Sequence, residues 1–185
     1  STGHPWLGVG SELMIEDGTL RVLKILSHAS AVIAEGEVDQ LTAQRQIETS
    51  EERYLSIIGA KTAALFAAAT RIAAVVAERS EAEERALEDY GRTLGVAFQL
   101  VDDAIDYDSQ ASEMGKGQGD DFREGKMTLP VILAYARGTA EERKFWEEAI
   151  AGFRTEDEAL AHAVELINRH GCVEATRTAR AGSCL

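Results

Sequence analysis

Proline stands at only two positions in this chain of 185 residues, Pro5 and Pro130, and that scarcity restricts the fold more than any other feature. Proline lacks the N–H and the clearance that a helix interior needs. Between these positions the chain runs in Ala- and Leu-rich segments whose apolar residues recur at helical spacing. The pattern predicts an all-α protein, one domain over residues 1–185, with helices at 18–45, 50–78, 81–108, 121–137, 140–152 and 156–181. Local signals mark several ends. Asp17-Gly18-Thr19 precedes Leu20, Leu23, Ile25 and Leu26, and Ser80 with Glu83 has the form of a capping box. Thr128, just before Leu129-Pro130, is a predicted helix boundary.

The run Phe98-Gln99-Leu100-Val101-Asp102-Asp103-Ala104-Ile105-Asp106 carries carboxylates at i, i+1 and i+4. A helix turns about 100° per residue, so Asp102, Asp103 and Asp106 crowd one face. Leu94, Ala97, Val101 and Ala104 are predicted to form the packed one. Carboxylates this close raise one another's pKa unless a cation lies between them. Magnesium is the natural occupant, since it takes oxygen ligands and is typically held by one or two carboxylates plus substrate phosphates. The competing reading is a solvated acidic face.

The segment after these acids favours the metal reading. Met114 to Pro130 is punctuated by glycine and carries Lys116 and Lys126, two of only five lysines in the chain, and a third, Lys61, opens an apolar helical stretch. Carboxylates for a metal, with lysines reaching the same phosphate, form a recurring plan for phosphoryl groups. Lys61 also reads as a snorkelling helix residue and Gln99 as a surface amide. Asp120-Asp121 with Glu124 repeats the i, i+1, i+4 spacing, but acids also favour a helix N-terminus, and the helix-start reading is preferred. His28, His162 and His170 have no ligand spacing. A calcium loop starting at Asp106 is rejected, because Ala111 stands where such a loop needs glycine.

Bulk composition excludes other classes. A net charge of −13 and a pI near 4.7 disfavour a nucleic-acid partner. Cys172 and Cys184 have no CxxC spacing, so neither zinc nor a disulfide framework is indicated, and a reducing, cytoplasmic setting is expected. The apolar stretch from Leu55 to Ala77 is interrupted by Lys61 and Arg71, which predicts a buried helix and no membrane span. No signal-peptide pattern is present.

Four stretches together resemble the trans-isoprenyl diphosphate synthases, in particular the long-chain polyprenyl type. They are Glu35-Gly36-Glu37-Val38-Asp39-Gln40, Lys61-Thr62, Phe98-Gln99 with Asp102, Asp103 and Asp106, and Gly115-Lys116 through Lys126-Met127-Thr128-Leu129-Pro130. The resemblance covers about Glu12 to Ala163 and leaves Ser1 to Gly10 outside it. It implies a helical bundle around a central cavity, a homodimer, and magnesium-dependent condensation of isopentenyl diphosphate with an allylic diphosphate. It also implies residue roles. Asp102, Asp103 and Asp106 would hold magnesium on the allylic diphosphate, and Lys61, Lys116 and Lys126 would contact its oxygens. Thr62 and Gln99 would stand beside the ionising carbon, with Phe98 and Gln40 lining the cavity.

The family pattern has two aspartate-rich motifs facing each other, the first followed by an arginine pair. This chain carries only the second, and Arg-Arg occurs nowhere in it. The expectation is therefore a C-terminal portion of the family fold without its N-terminal helices. Its one-sided site would bind metal diphosphate without condensing two substrates. Product length, set near the first motif, is not legible in this sequence. The alternatives are a class I terpene cyclase and a non-catalytic helical subunit of a heteromeric synthase.

Overall fold

A computed structural model describes residues 20–108, 119–152, 154 and 156–179, and among these residues every regular element is helical. The predicted all-α class is what is observed. The helices are α1 (Leu20–Ala43), α2 (Glu51–Ile58), α3 (Ala64–Val76), α4 (Glu81–Ile105), α5 (Asp120–Glu124), α6 (Leu129–Arg137), α7 (Ala140–Ala151), α8 (Asp157–Arg169) and α9 (Cys172–Thr178). A π turn, Gly59–Ala63, joins α2 to α3 without a break. Helix α4 is the spine of the bundle. It runs along α3, touches the π turn, and meets α6 and α9 at its C-terminal end.

Local chemistry accounts for most of the ends. The Ser80 hydroxyl accepts from the Glu83 N–H while the Glu83 carboxylate accepts from the Ser80 N–H, the capping box that the sequence predicts. Thr139 and Glu142 form a second one at α7. Two predicted helices are broken in the structure. The span 121–137 divides because Gly125, at φ 73°, ends α5 in the left-handed region, and Thr128 caps α6 with Pro130 in its first turn. The span 156–181 divides at the turn between Arg169 and Cys172. The Asp17-Gly18-Thr19 signal lies outside the described residues.

The main core lies under α6 to α9, where Trp146, Phe122, Leu129, Val131, Ile150, Leu166 and Ile167 are buried. The rings of Phe122 and Trp146 meet edge to face, with centroids 6.2 Å apart. The buried face of α4 is not the predicted one. Leu94 and Val101 are 42% and 43% exposed, Ala97 is exposed, and only Ala104 of that set is buried. The face that packs is Gly91, Gly95, Val96, Leu100, Asp103 and Ala104. Close approach to the alanine-rich α3 selects small residues there, so hydrophobicity points to the wrong side. The helix Glu51–Val76 is long and apolar enough to cross a membrane by length and composition. In the fold its Ala64, Ala67, Ala68 and Ala74 are buried, with α3 packed against α1 and α4.

A buried carboxylate joins three helices. Glu84 on α4 is 3% exposed, 2.6 Å from the Arg21 guanidinium on α1 and 3.9 Å from that of Arg71 on α3. Arg71 also reaches Glu88 at 3.1 Å. Removing Glu84 takes its close partner from Arg21 while Arg71 keeps Glu88, and both guanidinium groups are partly exposed and regain water. Glu84→Ala is therefore expected to cost about 1–3 kcal/mol, read as a lower urea midpoint at unchanged slope.

Candidate active site

The π turn is the element that brings the site together. Its wider winding inserts an extra residue into an otherwise α-helical rod, and such turns often occur where side chains must be re-aimed. In this fold it sends Lys61 toward α1 and Thr62 toward α4. Lys61 Nζ lies 3.0 Å from Glu37 Oε2 and donates to Gln40 Oε1. Thr62 Oγ1 donates to Gln99 Oε1 at 2.9 Å. The other end of that amide, Gln99 Nε2, donates to Asp103 Oδ1 at 2.7 Å, and the Tyr54 hydroxyl donates to Asp103 Oδ2 at 2.6 Å. The chain Thr62–Gln99–Asp103–Tyr54 thus fixes which way the amide points: oxygen to the threonine, nitrogen to the acid.

These groups line one cavity. Its walls include Gln40, Tyr54, Lys61, Thr62, Gln99, Asp102, Asp103, Asp121, Lys126 and Thr128. Asp102 is partly exposed, whereas Asp103 is 4% exposed and both of its oxygens already accept hydrogen bonds. Burial pushes the Asp103 carboxyl up to about 7, against the lowering effect of its two donors. Asp106 stands at the margin of the cavity. Its Oδ2 accepts the Asp121 N–H at 3.1 Å, and burial, with the neighbouring Asp121 charge second, lifts it to about 6.

Lys126 is held over the same space by the end of α1. Arg45 N donates to Gly125 O at 2.9 Å, Arg45 Nη1 donates to Ile150 O at 3.2 Å, and Gln44 Nε2 donates to Glu124 O at 2.5 Å. The ammonium lies 2.9 Å from Asp121 Oδ1 and 2.7 Å from Glu124 Oε2. Burial opposes its charge, but hydrogen bonds to Glu124 and Asp121 outweigh that and hold it above the ordinary lysine range.

Of the sequence-predicted residues, Gln40, Lys61, Thr62, Gln99, Asp102, Asp103 and Lys126 converge on the cavity, with Asp106 beside it. Phe98 does not line it. Rotated about 100° from Gln99, it is 56% exposed and packs on Phe66 with ring centroids 5.6 Å apart. Lys116 lies outside the described residues. Three polar residues of the site escape the sequence reading: Tyr54, Asp121, and Thr128, which is read there only as a helix boundary. Tyr54, two helical turns before Lys61, carries no motif but shares its face. Asp121 does begin a helix, as its acidic neighbours predict, yet it also lines the cavity and pairs with Lys126. Its signal is the repeated i, i+1, i+4 spacing.

The donor set fits a hard divalent cation. Every anionic wall group is a carboxylate, and burial, with the Asp121 charge second, raises the Asp106 carboxyl beside them, a crowding that a cation relieves. Among the described residues no group of three or more His, Cys, Asp or Glu side chains is placed to hold a metal ion by itself. An open site completed by water and phosphate suits magnesium.

Comparison with known proteins gives a consistent result. The polyprenyl synthetase family model matches residues 3–167, so the likeness starts nearer the N-terminus than Glu12, where the motifs put it. The chain is 46% identical over 157 residues to octaprenyl diphosphate synthase of Haemophilus influenzae, covering 83% of this chain and 48% of that protein. Octaprenyl diphosphate synthase of Escherichia coli is 42% identical over 166 residues, or 90% and 51% of the two chains. Among solved structures, a decaprenyl diphosphate synthase from Rhodobacter capsulatus superposes with a TM-score of 0.83 at 50% identity, over 90% of this chain and 51% of that one. A polyprenyl synthase from Caulobacter crescentus, complexed with calcium and isoprenyl diphosphate, gives 0.84 at 50% identity, over 89% and 50%. The chain spans about half the length of the curated relatives it matches. On its sequence, its helical architecture and the residues gathered at its cavity, it belongs to the polyprenyl synthetase family.

Proposed function

We propose that the protein acts in magnesium-dependent, head-to-tail condensation of isopentenyl diphosphate with an allylic diphosphate, yielding a polyprenyl diphosphate. The observation that carries this reading is the convergence of Asp102, Asp121, Lys61 and Lys126 on the cavity that also holds the Thr62–Gln99 pair. The calcium and isoprenyl diphosphate named for the Caulobacter crescentus relative support the ligand class.

In this reaction the allylic C–O bond breaks and diphosphate leaves with the electron pair. The double bond of isopentenyl diphosphate attacks the resulting cation, and a proton is lost. Lys61 and Lys126 exchange their present partners for phosphate oxygens and meet the charge that develops as diphosphate leaves. Gln99 Oε1 and Thr62 Oγ1 present dipoles to the allylic cation, and the neutral amide and hydroxyl are too weakly nucleophilic to trap it. Asp103 and Tyr54 hold the amide in that orientation. Asp102 and Asp121, with Asp106 behind them, are the residues that would hold magnesium, which when bound neutralises diphosphate charge. A homodimer and a cytoplasmic setting belong to the same proposal. The cyclase alternative has no observation in its favour.

The test is transfer of labelled isopentenyl diphosphate onto farnesyl diphosphate. Elongated product is expected with magnesium and none after chelation. A folded protein that forms no product under either condition overturns condensation by this chain and leaves the one-sided, diphosphate-binding site expected from its single aspartate-rich motif.

A further inference from the structure

We infer that Gly36 and Gly95 are positioning residues that clamp the π turn from opposite sides and so aim Lys61 and Thr62 into the cavity. Glycine destabilises a helix interior, so its presence in two long helices calls for a physical reason. Both glycines are buried. A Cβ on Gly36 would stand 2.8 Å from Lys61 N and 2.9 Å from Ala60 Cβ. One on Gly95 would stand 2.6 Å from Ala63 Cα and 3.1 Å from its Cβ. The obstacles include the backbone of the turn itself, which no side-chain rotation can clear.

The two clamps share one arrangement. On α1, Gly36 is followed at i+4 by Gln40, which accepts from Lys61. On α4, Gly95 is followed at i+4 by Gln99, which accepts from Thr62. Residues at i and i+4 share a helix face, so each helix seats the backbone of the turn with a glycine and holds its side chain with the next glutamine. The internal contrast is Gly59, in the same turn, whose added Cβ would meet nothing within 4 Å. Of the three glycines at the turn, only Gly36 and Gly95, which face it from outside, are sterically required.

The inference rests on the proposed diphosphate-binding role of Lys61, and two readouts on the full 185-residue chain separate them. The first is amide hydrogen exchange over residues 59–66. Gly36→Ala and Gly95→Ala are expected to speed it about tenfold while Gly59→Ala leaves it unchanged. The second is the dissociation constant for magnesium inorganic diphosphate by calorimetry. Gly36→Ala is expected to weaken binding about tenfold in the parent chain and to add nothing to Lys61→Ala, because the glycine acts through that lysine. Unchanged exchange in the turn overturns the clamp. Additive losses with Lys61→Ala overturn the aiming role and leave plain packing. Should Gly36→Ala not fold, Gly36→Ala with Ala60→Gly, which removes one of the two closest contacts, takes its place in both readouts. A parent chain that does not bind magnesium diphosphate defeats the functional reading, and the exchange measurement still decides the clamp.

Discussion

Asp102→Ala will cut magnesium-dependent transfer of isopentenyl diphosphate by about 10²- to 10³-fold, the usual consequence of losing one group that stabilises developing charge. Asp103→Ala, one residue along, will act mainly on the fold. Asp102 is partly exposed on the cavity wall, whereas Asp103 is 4% exposed and accepts from both Tyr54 and Gln99. Removing its carboxylate leaves the Tyr54 hydroxyl and one end of the Gln99 amide without their acceptor. The expected cost is about 1–3 kcal/mol per stranded group. It also frees the amide to turn, so that Gln99 Oε1 no longer has to face Thr62. Urea midpoints and transfer rates for both variants test the distinction. Equal stability losses, or an Asp103→Ala protein as stable as the parent, would contradict the division of labour between the two acids.

Local rules in the sequence account for the helical class, the Ser80–Glu83 capping box and the boundary at Thr128, because each depends on a few neighbouring residues. The convergence of Lys61, Thr62, Gln99, Asp102 and Lys126 is likewise legible through the resemblance of four separated stretches. The features that escape the sequence depend on contacts between helices. Nothing in Gly59-Ala60-Lys61-Thr62-Ala63 calls for a π turn, which is seated by close approach of α1 and α4. The buried side of α4 is hidden because its packing residues include glycines, which score as neutral. Tyr54 enters the site only because Asp103 is buried beside it, a pairing of residues 49 positions apart. Asp121 carries a visible spacing that fits a helix start equally well, and it fills both roles.

The metal-free protein will be more stable at pH 5 than at pH 8, and magnesium will recover the part of the difference that comes from Asp106. In the fold Asp103 titrates near 7 and Asp106 near 6, both above the ordinary 3.8, with burial the main cause and the charge of Asp121 acting on each. Between the ordinary and the raised values the folded chain binds more protons than the unfolded one, so stability falls as pH rises. This contribution is fully present below the unfolded pKa and is lost as pH climbs through 6 and 7. For Asp103 the whole gap corresponds to roughly 4 kcal/mol, of which about 3 kcal/mol falls between pH 5 and pH 8, and Asp106, only half-buried, adds less because solvent screens it. Glu83 and Glu142 are lowered to about 2, chiefly by the Arg79 hydrogen bond in the first case and by the Thr139 backbone in the second. Their contribution is lost only as pH falls through about 2, so it leaves the window from pH 5 to 8 untouched. A divalent cation competes with protons for the same oxygens. Magnesium, held by Asp102 and Asp121 with Asp106 behind them, will therefore raise the melting temperature more at pH 8 than at pH 5, and Asp103→Ala will flatten the pH dependence while leaving the metal response in place. Thermal melts at the two pH values, with and without magnesium, decide the matter. A stability independent of pH across this range, or a magnesium effect equal at both ends, would mean that the buried acids are not charged against one another as this geometry requires.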